Sequence, residues 1–114
     1  ATNLTSFSTE DSGGGSTINL TNAANGASAK TNDGIWHHLV TTRQGLVTTI
    51  YIDGVKIKEA TASGIKNVSN QSAFKVGLQE GSGGYNNQYN GLMDDLIIYK
   101  KALTQAEVTV LKNL

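Results

Sequence analysis

Leu46-Val47-Thr48-Thr49-Ile50-Tyr51-Ile52-Asp53-Gly54-Val55-Lys56-Ile57-Lys58 is the stretch on which the fold class turns. Its first seven residues are β-branched, aromatic or leucine, the side chains that suit a pleated, half-buried surface. Asp53-Gly54 then supplies a turn. Both residues tolerate positive φ, as a type I′ hairpin turn requires, and the twist of that turn matches its flanking strands. After it, Val55-Lys56-Ile57-Lys58 alternates apolar with charged, which predicts one buried and one wet face. Upstream, His38 to Arg43 has the same β-rich character, and Gln44-Gly45 reads as a second hairpin turn. Ala73 to Leu78 and Leu92 to Tyr99 are the next expected strands, joined by a loop from Gln79 to Asn90 that is crowded with Gly and Asn. The period then changes. Thr104-Gln105-Ala106-Glu107 is a capping box, and Val108 and Leu111 behind it give one short helix an apolar stripe. Residues 1–32 carry only Leu4, Phe7, Ile18 and Leu20 as large apolar groups, enough for short strands and too few for a core. Short strands, Gly-rich turns and one terminal helix predict an antiparallel β-sandwich.

Composition removes several functions. The chain has 114 residues, one domain's worth, with nine Lys plus Arg balanced by nine Asp plus Glu. Only 16% of residues are charged, while Gly, Ser, Thr and Asn make up 46 of the 114. A neutral chain without a basic cluster lacks the electrostatic footprint of a nucleic-acid binder. The longest apolar run, Leu96-Ile97-Ile98-Tyr99, is far short of the roughly 20 residues that span a bilayer, so no membrane insertion is expected. Residues 1–30 show neither the positive start nor the apolar stretch of a secretory leader. With no cysteine there is no disulfide framework, zinc finger or thiol chemistry. The low charge and the Thr/Ser/Asn/Gly-rich composition suit an extracellular, cell-surface or virion-surface protein.

Motifs in series then carry a resemblance. Asp33-Gly34-Ile35-Trp36-His37-His38-Leu39-Val40, Thr42-Arg43 and Ile50-Tyr51-Ile52-Asp53-Gly54-Val55 follow at short spacing. Phe74-Lys75-Val76-Gly77, Gly91-Leu92-Met93-Asp94-Asp95-Leu96-Ile97-Ile98-Tyr99, Ala102-Leu103-Thr104 and Glu107-Val108 complete the set. Over residues 33–114 this resembles the laminin-G-like branch of the concanavalin A-like lectin/glucanase jelly rolls, with pentraxins as more distant relatives. Residues 1–32 fit only loosely. The resemblance implies an all-β jelly-roll sandwich with one short C-terminal helix, here a single domain over 1–114. Such domains carry more strands than this sequence supplies, so the sandwich is expected to be incomplete and to lack N-terminal strands. The rest of the sheets is expected from a longer chain or a partner subunit.

Four candidate chemistries follow. His37 and His38 are adjacent on an extended segment and face opposite ways, so they cannot chelate one ion together. They read as hydrogen-bonding or packing groups flanking Trp36, which is expected to anchor the core. Retaining glycosidases need two carboxyls about 5–5.5 Å apart, and the glucanases of the resembled superfamily carry them as Glu-x-Asp-x-Glu or Glu-x-Asp-x-x-Glu on one strand. Glu10, Glu59, Glu80 and Glu107 fall in no such motif and Asp94-Asp95 are adjacent, so catalysis is not expected. The resemblance also implies calcium, a hard cation held by carboxylates and carbonyls, with Asp94 and Glu80 as candidate ligands; the acidic partner expected after Glu80 is replaced by Gly81-Ser82. The loop Tyr85-Asn86-Asn87-Gln88-Tyr89 offers two aromatics and three amides, the groups that stack on sugar rings and bond their hydroxyls, and loops on a rigid sandwich are where binding residues concentrate. The same residues also serve any long loop, with the tyrosines folded onto the sheet. The functional expectation is a non-catalytic carbohydrate- or surface-binding module of a larger protein, whose partner is a glycan or surface ligand. The alternative is a structural or assembly module mediating protein contacts.

Overall fold

A computed structural model describes residues 6–10, 17–21, 30–61, 69, 73–81, 84–86 and 88–114. Strands β1 (Ser6–Glu10) and β2 (Thr17–Thr21) form an antiparallel pair. Strands β3 (Leu39–Gln44), β4 (Val47–Ile52) and β5 (Val55–Thr61) form a meander in the order β3-β4-β5, and β6 (Gln79–Gly81) and β7 (Gly84–Asn86) form a short hairpin. Helix α1 (Gln105–Lys112) follows. All pairings among the described residues are antiparallel.

Both turns of the meander form as their residues dictate. Gly45 at φ 59° turns β3 into β4, and Asp53 and Gly54 at φ 52° and 81° turn β4 into β5, the double positive φ of a type I′ turn. β4 is the central strand and is buried from Thr48 through Ile52. Because successive side chains point to opposite faces, this strand contributes to both. On one face Tyr51 lies opposite Val40 and packs with Leu103, Val108 and Leu111, a small core between sheet and helix. On the other, Thr48, Ile50 and Ile52 are sealed, and β2 approaches β4 and β5.

The expected alternation along β5 is broken by a bulge. Ile50 pairs with Lys58 while Tyr51 pairs with Lys56, leaving Ile57 as the extra residue. Ile57 is buried and Val55 is exposed. The bulge also shifts the face by one, so Lys56 and Glu59, three apart, meet on the same side: Lys56 Nζ lies 3.5 Å from Glu59 Oε2, which also accepts the Thr49 hydroxyl at 3.1 Å.

Eight residues make too short a helix to hold itself in water. The capping box forms as expected, with Thr104 Oγ1 accepting from the Glu107 amide at 3.3 Å and Glu107 Oε2 accepting from the Thr104 amide at 2.8 Å. The Lys101 ammonium, then the Thr104 donors, hold the Glu107 carboxyl at about 2. Val108, fully buried, fixes the helix to the sheet, and Gln105 Nε2 donates to the Gly54 carbonyl at 2.6 Å.

Two expected strands differ. Residues 73–78 and 92–99 form no ladder among the described residues, and Phe74, Leu92, Leu96, Ile97 and Ile98 are exposed. Sequence propensity marks a segment as fit for a sheet, but a strand exists only where a second backbone accepts its hydrogen bonds. Trp36 departs in the same way: it is 64% exposed and does not anchor the core, a role Tyr51 fills.

Candidate functional site

The segment before β3 and the turn after β4 are joined by one imidazole. Asp33 Oδ1 accepts from the Ile35 amide at 3.3 Å, a local turn in which Gly34 takes φ 85°. The same oxygen lies 2.9 Å from His37 Nε2, and Asp53 Oδ2 lies 2.7 Å from His37 Nδ1. Ionised carboxylates only accept, so both ring nitrogens must donate and His37 is an imidazolium. The bond to Asp53, then that to Asp33, raises its pKa above 6.5. Burial opposes the charge of Asp53, but the bonds from His37 and from the His38 amide (2.9 Å), with Lys112 nearby, hold its carboxyl below the usual range. The His37 bond does the same for Asp33. Asp53 N–H closes the contact on the His38 carbonyl at 2.9 Å, and Gly54 carries Gln105 of α1. This clasp ties the Trp-His-His segment, the β4–β5 turn and the helix into one body. The expected hydrogen-bonding role of His37 is met. Asp53 read only as a turn residue in sequence, because its partner is 16 residues away.

The expected ligand loop is in part a hairpin. Tyr85 and Asn86 lie on β7, opposite Glu80 and Gln79 of β6. Asn87 and the side chains of Glu80, Tyr85 and Asn86 lie outside the described residues. Gln88 is exposed. Tyr89 is the member that the structure positions. Its amide donates to the Gly77 carbonyl at 2.7 Å and its hydroxyl to the Leu92 carbonyl at 3.1 Å. Gly77, at φ 78°, lies against Tyr89: a Cβ there would stand 3.8 Å from the Tyr89 Cβ and 4.0 Å from the Met93 Cε. Gly91 lies under the ring: a Cβ there would stand 2.8 Å from the hydroxyl oxygen and 2.9 Å from Cζ. Tyr89 is bonded at its amide and at its hydroxyl and is still 54% exposed. The sequence named Tyr89 but not the two glycines that seat it; the spacing of Gly77 and Gly91 around an aromatic is the signal that was available.

Of the two candidate calcium ligands, Asp94 accepts from the amide of Asp95, which sits at φ 51°, with an Oδ1–N distance of 2.8 Å. No group of three or more His, Asp or Glu suited to a metal occurs among the described residues. Hydrogen bonds engage four further carboxylates: Asp33 and Asp53 on His37, Glu59 on Thr49 and Lys56, and Glu107 in the capping box. No helix among the described residues is long and apolar enough to cross a membrane.

Residues 2–109 match the laminin-G-type model of the concanavalin A-like lectin/glucanases superfamily. A comparison with curated proteins finds no significant sequence match. Among solved structures, residues 221–444 of an S-layer domain-containing protein from Clostridium thermocellum are similar, with a TM-score of 0.58 at 20% identity. The match covers 98% of this chain and 64% of that one, so the chain spans less than two thirds of the solved domain. At that identity the likeness is one of fold.

Proposed function

The chain belongs to the concanavalin A-like lectin/glucanases superfamily, and we propose that it is a non-catalytic carbohydrate- or surface-binding module of a larger extracellular or virion protein. One observation carries the reading: Tyr89, bonded through its hydroxyl to the Leu92 carbonyl and set against Gly91, is still 54% exposed. An aromatic held in one orientation binds an apolar sugar face without first losing rotamer freedom. The hydroxyl is already bonded, so Tyr89 acts through its ring. The amides that would bond the hydroxyls of the sugar come from Asn86, Asn87 and Gln88. That Asp33, Asp53, Glu59 and Glu107 are each engaged in hydrogen bonds within the fold supports the non-catalytic reading. A surface setting accords with the solved neighbour, whose name places it among S-layer domain-containing proteins.

The test is a glycan array probed with the 114-residue chain, once with calcium and once with a chelator, because Asp94 and Glu80 are the candidate ligands for that ion. Glycan signals that fall in the Tyr89→Ala variant support the reading. No signal in either condition, or equal signal from the variant, counts against it.

A further inference from the structure

Asp94-Asp95-Leu96-Ile97-Ile98-Tyr99-Lys100-Lys101 is two acids, four apolar residues and two bases. Reversed and laid beside itself, it is complementary at every position. In an antiparallel register with a two-fold axis between 97 and 98, Asp94 faces Lys101, Asp95 faces Lys100, Leu96 faces Tyr99 and Ile97 faces Ile98. Residues 92–99 carry no ladder among the described residues, and Ile97 and Ile98 are 60% and 70% exposed. Polar groups on an unpaired, apolar, strand-forming backbone are a template for a second strand.

We infer that two copies of the chain pair through this segment as a closed, antiparallel, two-fold dimer. Lys101 already holds Glu107 within its own chain, so the pair that fixes the register is Asp95 with Lys100. Asp95, in left-handed backbone at φ 51°, ends the stretch that can enter a regular ladder, which leaves Leu96 to Tyr99 as the hydrogen-bonded centre. A second copy is the occupant that the charges select. A strand with acids at both ends, or bases at both ends, would set like charges against each other at one end of this one. The inference is independent of the carbohydrate reading, which rests on Tyr89.

Sedimentation velocity on the 114-residue chain reads it directly. With rising concentration the wild type should shift from 12.0 kDa toward twice that mass and stop there. Lys100→Asp places two like-charge pairs in each dimer, one on each side of the axis, and should weaken it roughly tenfold; Asp95→Lys should do the same. An equimolar mixture of the two variants should restore the dimer, because each then meets its opposite in the other chain. Lysine is strained at position 95, so Ile97→Lys at an exposed site is the second disrupting variant, and far-UV circular dichroism confirms that each variant is folded. A wild type that stays monomeric, as when this segment pairs within a longer chain, overturns the inference. Growth beyond the dimer, a dimer indifferent to Lys100→Asp and Ile97→Lys, or a mixture no tighter than its components does so too.

Discussion

Replacing Asp53 by Asn isolates the His37 clasp. Asparagine tolerates the left-handed backbone at φ 52°, and its carbonyl oxygen still accepts the His38 amide. What is lost is the charged acceptor 2.7 Å from His37 Nδ1. A hydrogen bond to a charged group contributes about 1.5–3 kcal/mol when sheltered. The imidazole is well sheltered, with 11% of its side chain exposed, but the Asp53 side chain is 40% exposed. Solvent screening on that side brings the expectation to about 1 kcal/mol, which in a chain of this size is roughly 3–6 °C in Tm. The pH dependence gives the sharper signature. The folded pKa of His37 is raised above its ordinary 6.5, so its contribution is complete below that value and is lost as pH rises through the folded pKa. Asp33 and Asp53 are depressed below 3.8, so theirs is present above that value and fades as pH falls through their folded pKa values. The clasp is therefore strongest between 3.8 and 6.5. Urea unfolding at about pH 5 and about pH 8.5 should find the wild type more stable at the lower pH, with the difference largely removed in Asp53→Asn and in His37→Gln. A wild type equally stable at both, or a slope surviving in both variants, would refute an imidazolium clasp.

Gly91→Ala puts a Cβ within 3.0 Å of the Tyr89 ring and pushes the ring off its seat. Because Tyr89 is more than half exposed and buries little in the fold, the unfolding free energy should move by less than about 0.5 kcal/mol while glycan binding falls, read by melting and array signal on the same sample. Thr104→Ala removes the acceptor for the Glu107 amide and should cost about 1 kcal/mol in urea unfolding. The folded pKa of Glu107 is about 2 against an ordinary 4.5, so its contribution is present above 4.5 and is lost as pH falls toward 2; an acid titration followed by circular dichroism checks this.

What was legible in the sequence was local. Gly45, Asp53 and Gly54 fix their turns by their own φ preferences, and Thr104 and Glu107 satisfy each other across one helical turn, so the β3-β4-β5 meander and α1 fall where the residues place them. Leu92 to Tyr99 has equal strand character and forms no ladder among the described residues, since pairing depends on a second backbone. Trp36 reads as a core anchor from its size, yet burial depends on what lies over it, and Tyr51 sits under the helix instead. Val55 is exposed while Ile57 is buried because a bulge breaks the register between them, which an alternating pattern does not announce. At the candidate site, Tyr89 was legible as an aromatic in a Gly/Asn loop. Its seat was not, because the contacts to Gly77 and Leu92 are set by how the chain doubles back. The Asp33–His37–Asp53 clasp was half visible: the histidine stood out, while Asp53 was hidden behind its role in the turn.

The claim that matters most is that Tyr89 binds through its ring. Isothermal titration of an array-selected glycan against wild type, Tyr89→Phe and Tyr89→Ala tests it most directly. Tyr89→Phe, which keeps the ring and gives up the bond to the Leu92 carbonyl, should retain most of the affinity, and Tyr89→Ala should lose about tenfold or more. Wild-type affinity in Tyr89→Ala would contradict it.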